Sequence, residues 1–284
     1  MSRLFTFGCS FTSYKWPTWA DILGKEFSYY ENWGRSGAGN HYIFNALNEC
    51  IARNAITTTD TVIVMWTNVM REDRYINHLW NTPGNIYTQN MYDSQFIKKF
   101  VDTRGCLIRD LAFIQSSKLI LDFIGCKYIF TSMVPIDTPN QYFDTKIKDD
   151  NDVLLCYNTT IKHIRPSVFE SIFNSNWNSR PYYSKDCQDE KLRWSSVAGI
   201  SWPKFEDYIL NIQINSTIKK EIDTMFKLHR SDFHPTPSEH LEYINKIIPE
   251  IQVSSETHEW VKIMEEQVRS HTLTDWKSNN VSRL

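Results

Sequence analysis

Apolar and polar positions along the chain alternate between short apolar runs and longer stretches of helical period. Arg3–Phe7 is a short apolar run that predicts a first strand. Trp16–Phe27 carries Trp19, Ile22, Leu23 and Phe27 on one face at helical spacing. Tyr29–Trp33 reads as a second strand, and the glycine-rich GRSGAGN, Gly34–Asn40, opens a helix through about Ala52. Thr59 and Asp60 precede TVIVMW, Thr61–Trp66, a continuous apolar run of the kind buried on both faces in a parallel sheet. A polar, aromatic stretch runs from Thr67 to about Tyr92. A long helical segment then covers roughly Asp93–Ile124, with Gly105 a point of weakness or breakage. KYIFTSMV, Lys127–Val134, is another buried strand.

Strand and helix in alternation predict an α/β fold: a parallel central sheet with helices on both faces, a three-layer α/β/α sandwich. Ligands of such sheets sit beyond the carboxyl ends of the strands. That rule places Ser10, Gly37 and Asn68 on one edge, since each follows a strand. The alternation breaks at Pro139. Residues 139–204 read as a helical and irregular insertion, partly helical around Val153–Phe173, either a cap over the site or a peripheral subdomain. Phe205–Phe226 is amphipathic. HRSDFHPTPSEHLEYINKII, His229–Ile248, is a loop leading into a helix, and a last helix over about Glu256–Arg269 precedes a polar tail, 270–284. The expected organisation is one domain over 1–284, without internal repeats.

Composition narrows the function. Hydrophobic residues make up 41% of the 284, enough for a sizeable core, and the aromatic share of 14%, with ten Trp, suits pockets for sugars and acyl chains. A formal net charge of −2 offers no basic excess for a phosphate backbone, so nucleic acid is not an expected partner. No leader-like apolar region and no run of about 18 apolar residues is present, so neither export nor a membrane partner is expected. The expected setting is a cytoplasm, with a phage-encoded enzyme as one origin. Six cysteines are scattered without a C-x-x-C, which leaves buried, reduced thiols as the reading. No cofactor is expected. His229, Asp232, His234 and His240 lack the spacing of a metal site, so no metal is expected either.

The candidate chemistry begins at Ser10, which alone reads equally well as a turn serine. A serine hydroxyl needs an imidazole to take its proton. His234, in a loop late in the chain, is placed to return to the sheet edge. Asp232 stands two residues upstream and reads either as the acid that orients the imidazole or as a helix cap. Backbone N–H groups of Ser10 and Gly37 and the side-chain amide of Asn68 are candidate donors to an oxyanion. Cys9 is expected to pack on the opposite side of the turn from Ser10. Arg71, Glu72 and Arg74 read first as a solvated charged loop, and as contacts to an anionic substrate group second. Trp66 and Arg71 are the candidates for lining a substrate pocket.

Four stretches in this order resemble the SGNH/GDSL hydrolase superfamily of esterases, lipases and acyltransferases. GCSFT, Gly8–Thr12, resembles its first block, with Cys9 where Asp is usual. NWGRSG, Asn32–Gly37, resembles the second, and WTN, Trp66–Asn68, the third, with Trp66 where Gly is usual. SDFHPTPSEH, Ser231–His240, resembles the last; the family's acid position, three residues before the histidine, holds Ser231, and Asp232 is one residue closer. Glu239 stands where Gly is common. The resemblance implies a flavodoxin-like fold and a serine esterase. Its substrate would be an acyl ester, short-chain such as O-acetyl, of a carbohydrate or small polar molecule, cleaved through a Ser–His–Asp triad or a Ser–His dyad. An O-acyltransferase using the same acyl-enzyme, and a non-catalytic module retaining the fold, are the alternatives. Nothing in the sequence fixes an oligomeric state.

Overall fold

The computed structural model describes residues 2–86, 92–136, 150–173, 234–270, 272–273 and 276–281. Four parallel strands form its sheet: β1 (Arg3–Phe7), β2 (Tyr29–Asn32), β3 (Thr61–Trp66) and β6 (Lys127–Ser132), in the order β2-β1-β3-β6. The register aligns Phe7 with Val64, and Trp66 with Ser132, so the carboxyl ends of the strands make one edge. Every residue of β3 is buried, as its unbroken apolar run requires of a strand covered on both faces.

The helices divide between the two faces. α2 (Asn40–Asn54) packs on β1, β3 and α4 (Thr103–Ile124). On the other side, α1 (Trp19–Gly24) packs against α8 (Pro237–Ile247), which in turn packs against α9 (Ser255–Arg269). The molecule is therefore an α/β protein with a parallel sheet flanked by helices. Trp19, Trp33, Trp66, Phe5, Phe7 and Phe130 are among the large side chains sealed in its core.

Three local outcomes differ from the sequence pattern. The Thr67–Tyr92 stretch contains a hairpin, β4 (Arg74–Ile76) and β5 (Leu79–Asn81). Its two-residue turn places both Asn77 and His78 at positive φ (53° and 61°), the backbone of a type I′ turn. The long helical segment is two helices, α3 (Ser94–Phe100) and α4, and the break lies at Val101–Asp102 rather than at Gly105. Asp102 is the N-cap of α4, its carboxylate accepting the Gly105 N–H at 2.8 Å, so the glycine sits in the first turn of a new helix. The Trp16–Phe27 periodicity yields only the six-residue α1, opened by Thr18 and Asp21 as a capping box.

Of the 139–204 insertion, residues 150–173 are described. They form α5 (Asn151–Cys156), α6 (Asn158–Ile161) and α7 (Val168–Ser171). Ile164 makes a parallel bridge to Phe130 on the outer side of β6, and Val168, Phe169 and Phe173 join the main core. The amphipathic 205–226 stretch lies outside the described residues. At the other edge, Asn280 of the tail makes a parallel bridge to Asn32 of β2.

Candidate active site

The first block turns sharply away from β1. Cys9 O accepts from the N–H groups of Thr12 (2.9 Å) and Ser13 (3.1 Å), closing a tight turn with Ser10 inside it. Thr12 O is itself held by Thr18 Oγ1 at 2.6 Å and Asn32 Nδ2 at 2.8 Å. A side chain on Gly8 would start 2.0 Å from Thr12 Oγ1, so the turn closes this tightly only over glycine. Ser10 is mostly buried at the strand end, while Cys9 faces the core with Sγ 3.7 Å from Met133 Sδ.

The second block lies directly over the first. Arg35 N–H donates to Gly8 O (3.0 Å), and Asn32 Oδ1 accepts from Gly34 N–H (2.9 Å), which bends the chain as β2 ends. Gly37 has φ +77°, in the left-handed region, and a Cβ there would fall 2.1 Å from Thr82 O. The loop after the hairpin thus presses on the Gly37 turn, and Thr82 Oγ1 donates to Ser36 O at 2.9 Å.

In the third block, Asn68 uses its side chain to make a turn: Oδ1 accepts from Met70 N–H at 2.7 Å. That bond leaves Nδ2 as the donor end of the amide. The second and third blocks are locked together by Asn40, the first residue of α2. Its Oδ1 accepts from Thr67 N–H (2.8 Å), and its Nδ2 donates to Thr67 O (2.9 Å) and Asp110 Oδ2 (2.7 Å). Asp110 is fully buried; burial pushes its carboxyl up to about 7, against the pull of Arg109 and Asn40. Asp73 closes the start of α2, where Gly39 has no side chain to cap with, accepting from the N–H groups of Gly39 and Tyr42 at 2.8 Å each. Its carboxyl is also raised by burial.

The last block reaches the first. The His234 ring stacks on Tyr14 with centroids 3.7 Å apart and meets the edge of Phe11 at 5.3 Å. Pro235 O accepts from Trp16 Nε1 at 2.8 Å, pinning the loop against the segment that follows Ser10. Thr236 and Glu239 form a capping box for α8, with Pro237 at its start, so Glu239 has a structural use. His240 is buried on the same helix. Asp232 and Ser231 lie outside the described residues.

The structure thus brings the Ser10 turn, the Gly37 turn, Asn68 and His234 to one edge of the sheet. Trp66 lies wholly inside the core, its ring edge-on to Phe130 at 5.6 Å. Arg71 is not part of a solvated loop. It is buried, with Nη1 donating to Ala38 O (3.0 Å) and Nη2 3.5 Å from Met133 Sδ. Glu72 pairs with both Arg74 and Arg109. Sequence reasoning passed over Asn40, Asp73 and Asp110, which brace the site from behind. The signal available was that an asparagine follows the glycine-rich loop at a helix start. Among the described residues, no group of His, Cys, Asp and Glu is arranged to hold a metal ion, and no helix is long and apolar enough to cross a membrane.

No family model matches the chain, and no curated protein does either. Solved structures similar to it at low identity include the following three. An acylhydrolase from Bacteroides fragilis is 15% identical, with a TM-score of 0.35 over 78% of this chain and 87% of its own. A GDSL-like lipase from Bacteroides thetaiotaomicron is 15% identical, with a TM-score of 0.31 over 78% and 88%. A member of the lipolytic G-D-S-L family from Veillonella parvula is 12% identical, with a TM-score of 0.35 over 76% and 100%. The β2-β1-β3-β6 order puts the first three blocks at the carboxyl ends of β1, β2 and β3 of a parallel α/β sheet, and the last block's histidine lies against the first.

Proposed function

We propose that the protein is a serine esterase that removes a short acyl group, such as acetyl, from a carbohydrate or small polar alcohol. The observation that carries this reading is the seating of His234 on Phe11 and Tyr14, within four residues of Ser10, at the edge where Asn68 and the Gly37 turn also stand. In the proposed reaction Ser10 Oγ attacks the ester carbonyl as its proton passes to His234. The oxyanion accepts hydrogen bonds from the N–H groups of Ser10 and Gly37 and from Asn68 Nδ2. Collapse expels the alcohol, which takes the proton from His234. Water then attacks the acyl-enzyme by the same route and frees the acid.

Two measurements test it. A fluorophosphonate probe should label the protein at Ser10, and Ser10→Ala should lower hydrolysis of an aryl acetate by about 10⁴–10⁶-fold with the fold intact. Full turnover by that variant would sink the assignment. Asp232 is proposed as the acid, so Asp232→Asn should cost on the order of 10²–10⁴ in kcat, and Ser231→Ala much less. The reverse ranking would leave a Ser–His dyad.

A further inference from the structure

Beside the Ser10 turn lies an open cavity of about 650 Å³ whose lining includes Tyr14, Lys15, Arg35, Tyr42, His78 and Trp80. Three of these side chains carry or can accept positive charge, three present aromatic rings, and no carboxylate lines the cavity among the described residues. The chain as a whole is slightly acidic, at a net −2, so this cationic lining is a local concentration of charge and not an average property.

Arg35 is the centre of the argument. Its Nη2 donates to Trp80 O at 2.7 Å, and its guanidinium lies 5.9 Å from the centroid of the Tyr42 ring. These contacts fix the plane of the fork without neutralising it, and among the described residues no carboxylate pairs with it. One donor is committed, and the rest of the fork is available to a bidentate acceptor. Lys15 Nζ lies over the rings of Tyr14 (5.5 Å) and Trp16 (5.1 Å) on the same side. The cavity is also contiguous with the candidate site. Tyr14, part of its wall, is the residue on which His234 stacks, and Gly34, Arg35 and Ser36 run directly into Gly37.

We infer that this cavity binds the alcohol part of the substrate as a sugar ring bearing a carboxylate or a phosphate. The inference rests on the esterase reading for the word substrate, but the binding site stands on its own lining. Aromatic rings match the apolar face of a sugar, and the Arg35 fork matches its anionic group.

Calorimetric titration with the unacylated sugars tests the site without any turnover. Glucuronate or glucose 6-phosphate should bind about tenfold or more tightly than glucose, and the difference should shrink as salt is raised. Whichever of the two anions binds better identifies the anionic group. Arg35→Gln should bring the anion-to-glucose ratio close to one, and Arg35→Lys, which keeps the charge but not the fork, should lower it only in part with the melting temperature retained. Equal binding of all three sugars, or a ratio untouched by either Arg35 substitution, would overturn the proposal. Binding of an anionic sugar by a protein that no fluorophosphonate labels would uphold the cavity and reject the esterase. Ester hydrolysis indifferent to charge on the alcohol would do the opposite.

Discussion

Asn68 and Gly37 do different things with the same loop region. The Asn68 side-chain oxygen accepts from Met70 N–H, and in the proposed reaction its nitrogen is the donor to the oxyanion. Asn68→Ala should lose both, whereas Asn68→Asp keeps the acceptor and loses the donor. Both variants should lose about 10²–10³ in kcat on an aryl acetate, with Asn68→Asp melting closer to the wild type. Near-normal kcat in Asn68→Asp would mean that the residue only shapes the turn. Gly37 contributes backbone alone. At φ +77° an L-residue costs about 1–2 kcal/mol, and Thr82 O stands where its Cβ would be. Gly37→Ala should therefore lower Tm by several degrees in a thermal melt and displace the turn whose N–H is proposed to face the oxyanion. The positions of both were legible in the sequence because each follows a strand, where the ligand edge of a parallel sheet lies; the left-handed backbone of Gly37 was not. Arg71 was not. Its neighbours Glu72, Asp73 and Arg74 read as a solvated run, and only the packing of Ala38 and Met133 around its guanidinium buries it.

Among the elements, β3 and β6 were readable because an unbroken apolar run has few places to go except a covered parallel strand. The hairpin was not, since its strands are three residues long and largely exposed, and its turn is Asn-His instead of the usual Asn-Gly. The start of α2 is legible only in three dimensions, because its cap, Asp73, comes from 34 positions along the chain. Asp110 then makes this corner sensitive to pH. Its carboxyl titrates near 7 in the folded protein, because burial disfavours the charge, against about 3.9 when unfolded. Between those values the folded state holds a proton that the unfolded state has released. The contribution of Asp110 to stability is thus present in full below about pH 4 and is lost as pH rises through about 7. Asp110→Asn cannot ionise. From pH 5 to pH 8 its Tm should rise relative to that of the wild type, by a few degrees. Arg109, paired with Asp110 at 2.7 Å, and the nearby Asp73 act directly on the Asp110 carboxyl and are part of the difference read. A constant gap between the two melting curves would show that Asp110 is ionised throughout.

At the scale of the whole molecule, residues 276–281 return to the turn that follows β1. The last described residues, 276–281, look in the sequence like a polar tail, since they contain one large apolar side chain in Trp276. In the structure they extend the sheet edge past β2. Asn32 N–H donates to Asn279 O (2.9 Å), Val281 N–H donates to Asn32 O (3.2 Å), and Asn32 Nδ2 donates to Ser278 Oγ (2.8 Å). Ser278 also bonds the buried carboxylate of Asp21, and Ser13 Oγ donates to Asn280 Oδ1 at 3.0 Å. The tail thus supplies partners to Asn32 and Asp21, two groups that need them because they are buried. Asn32 in turn fixes the Thr12 carbonyl and Gly34 N–H that shape the first two blocks. Removing residues 272–284 takes these partners away, at about 1–3 kcal/mol for each buried group left unsatisfied. The truncated protein should melt several degrees lower and lose kcat on an aryl acetate, because the Ser10 turn loses its brace. Asn280→Ala removes one bond to Ser13 and should reproduce only a small part of either effect. A truncation with unchanged Tm and kcat would show that the segment rests on the sheet without holding it.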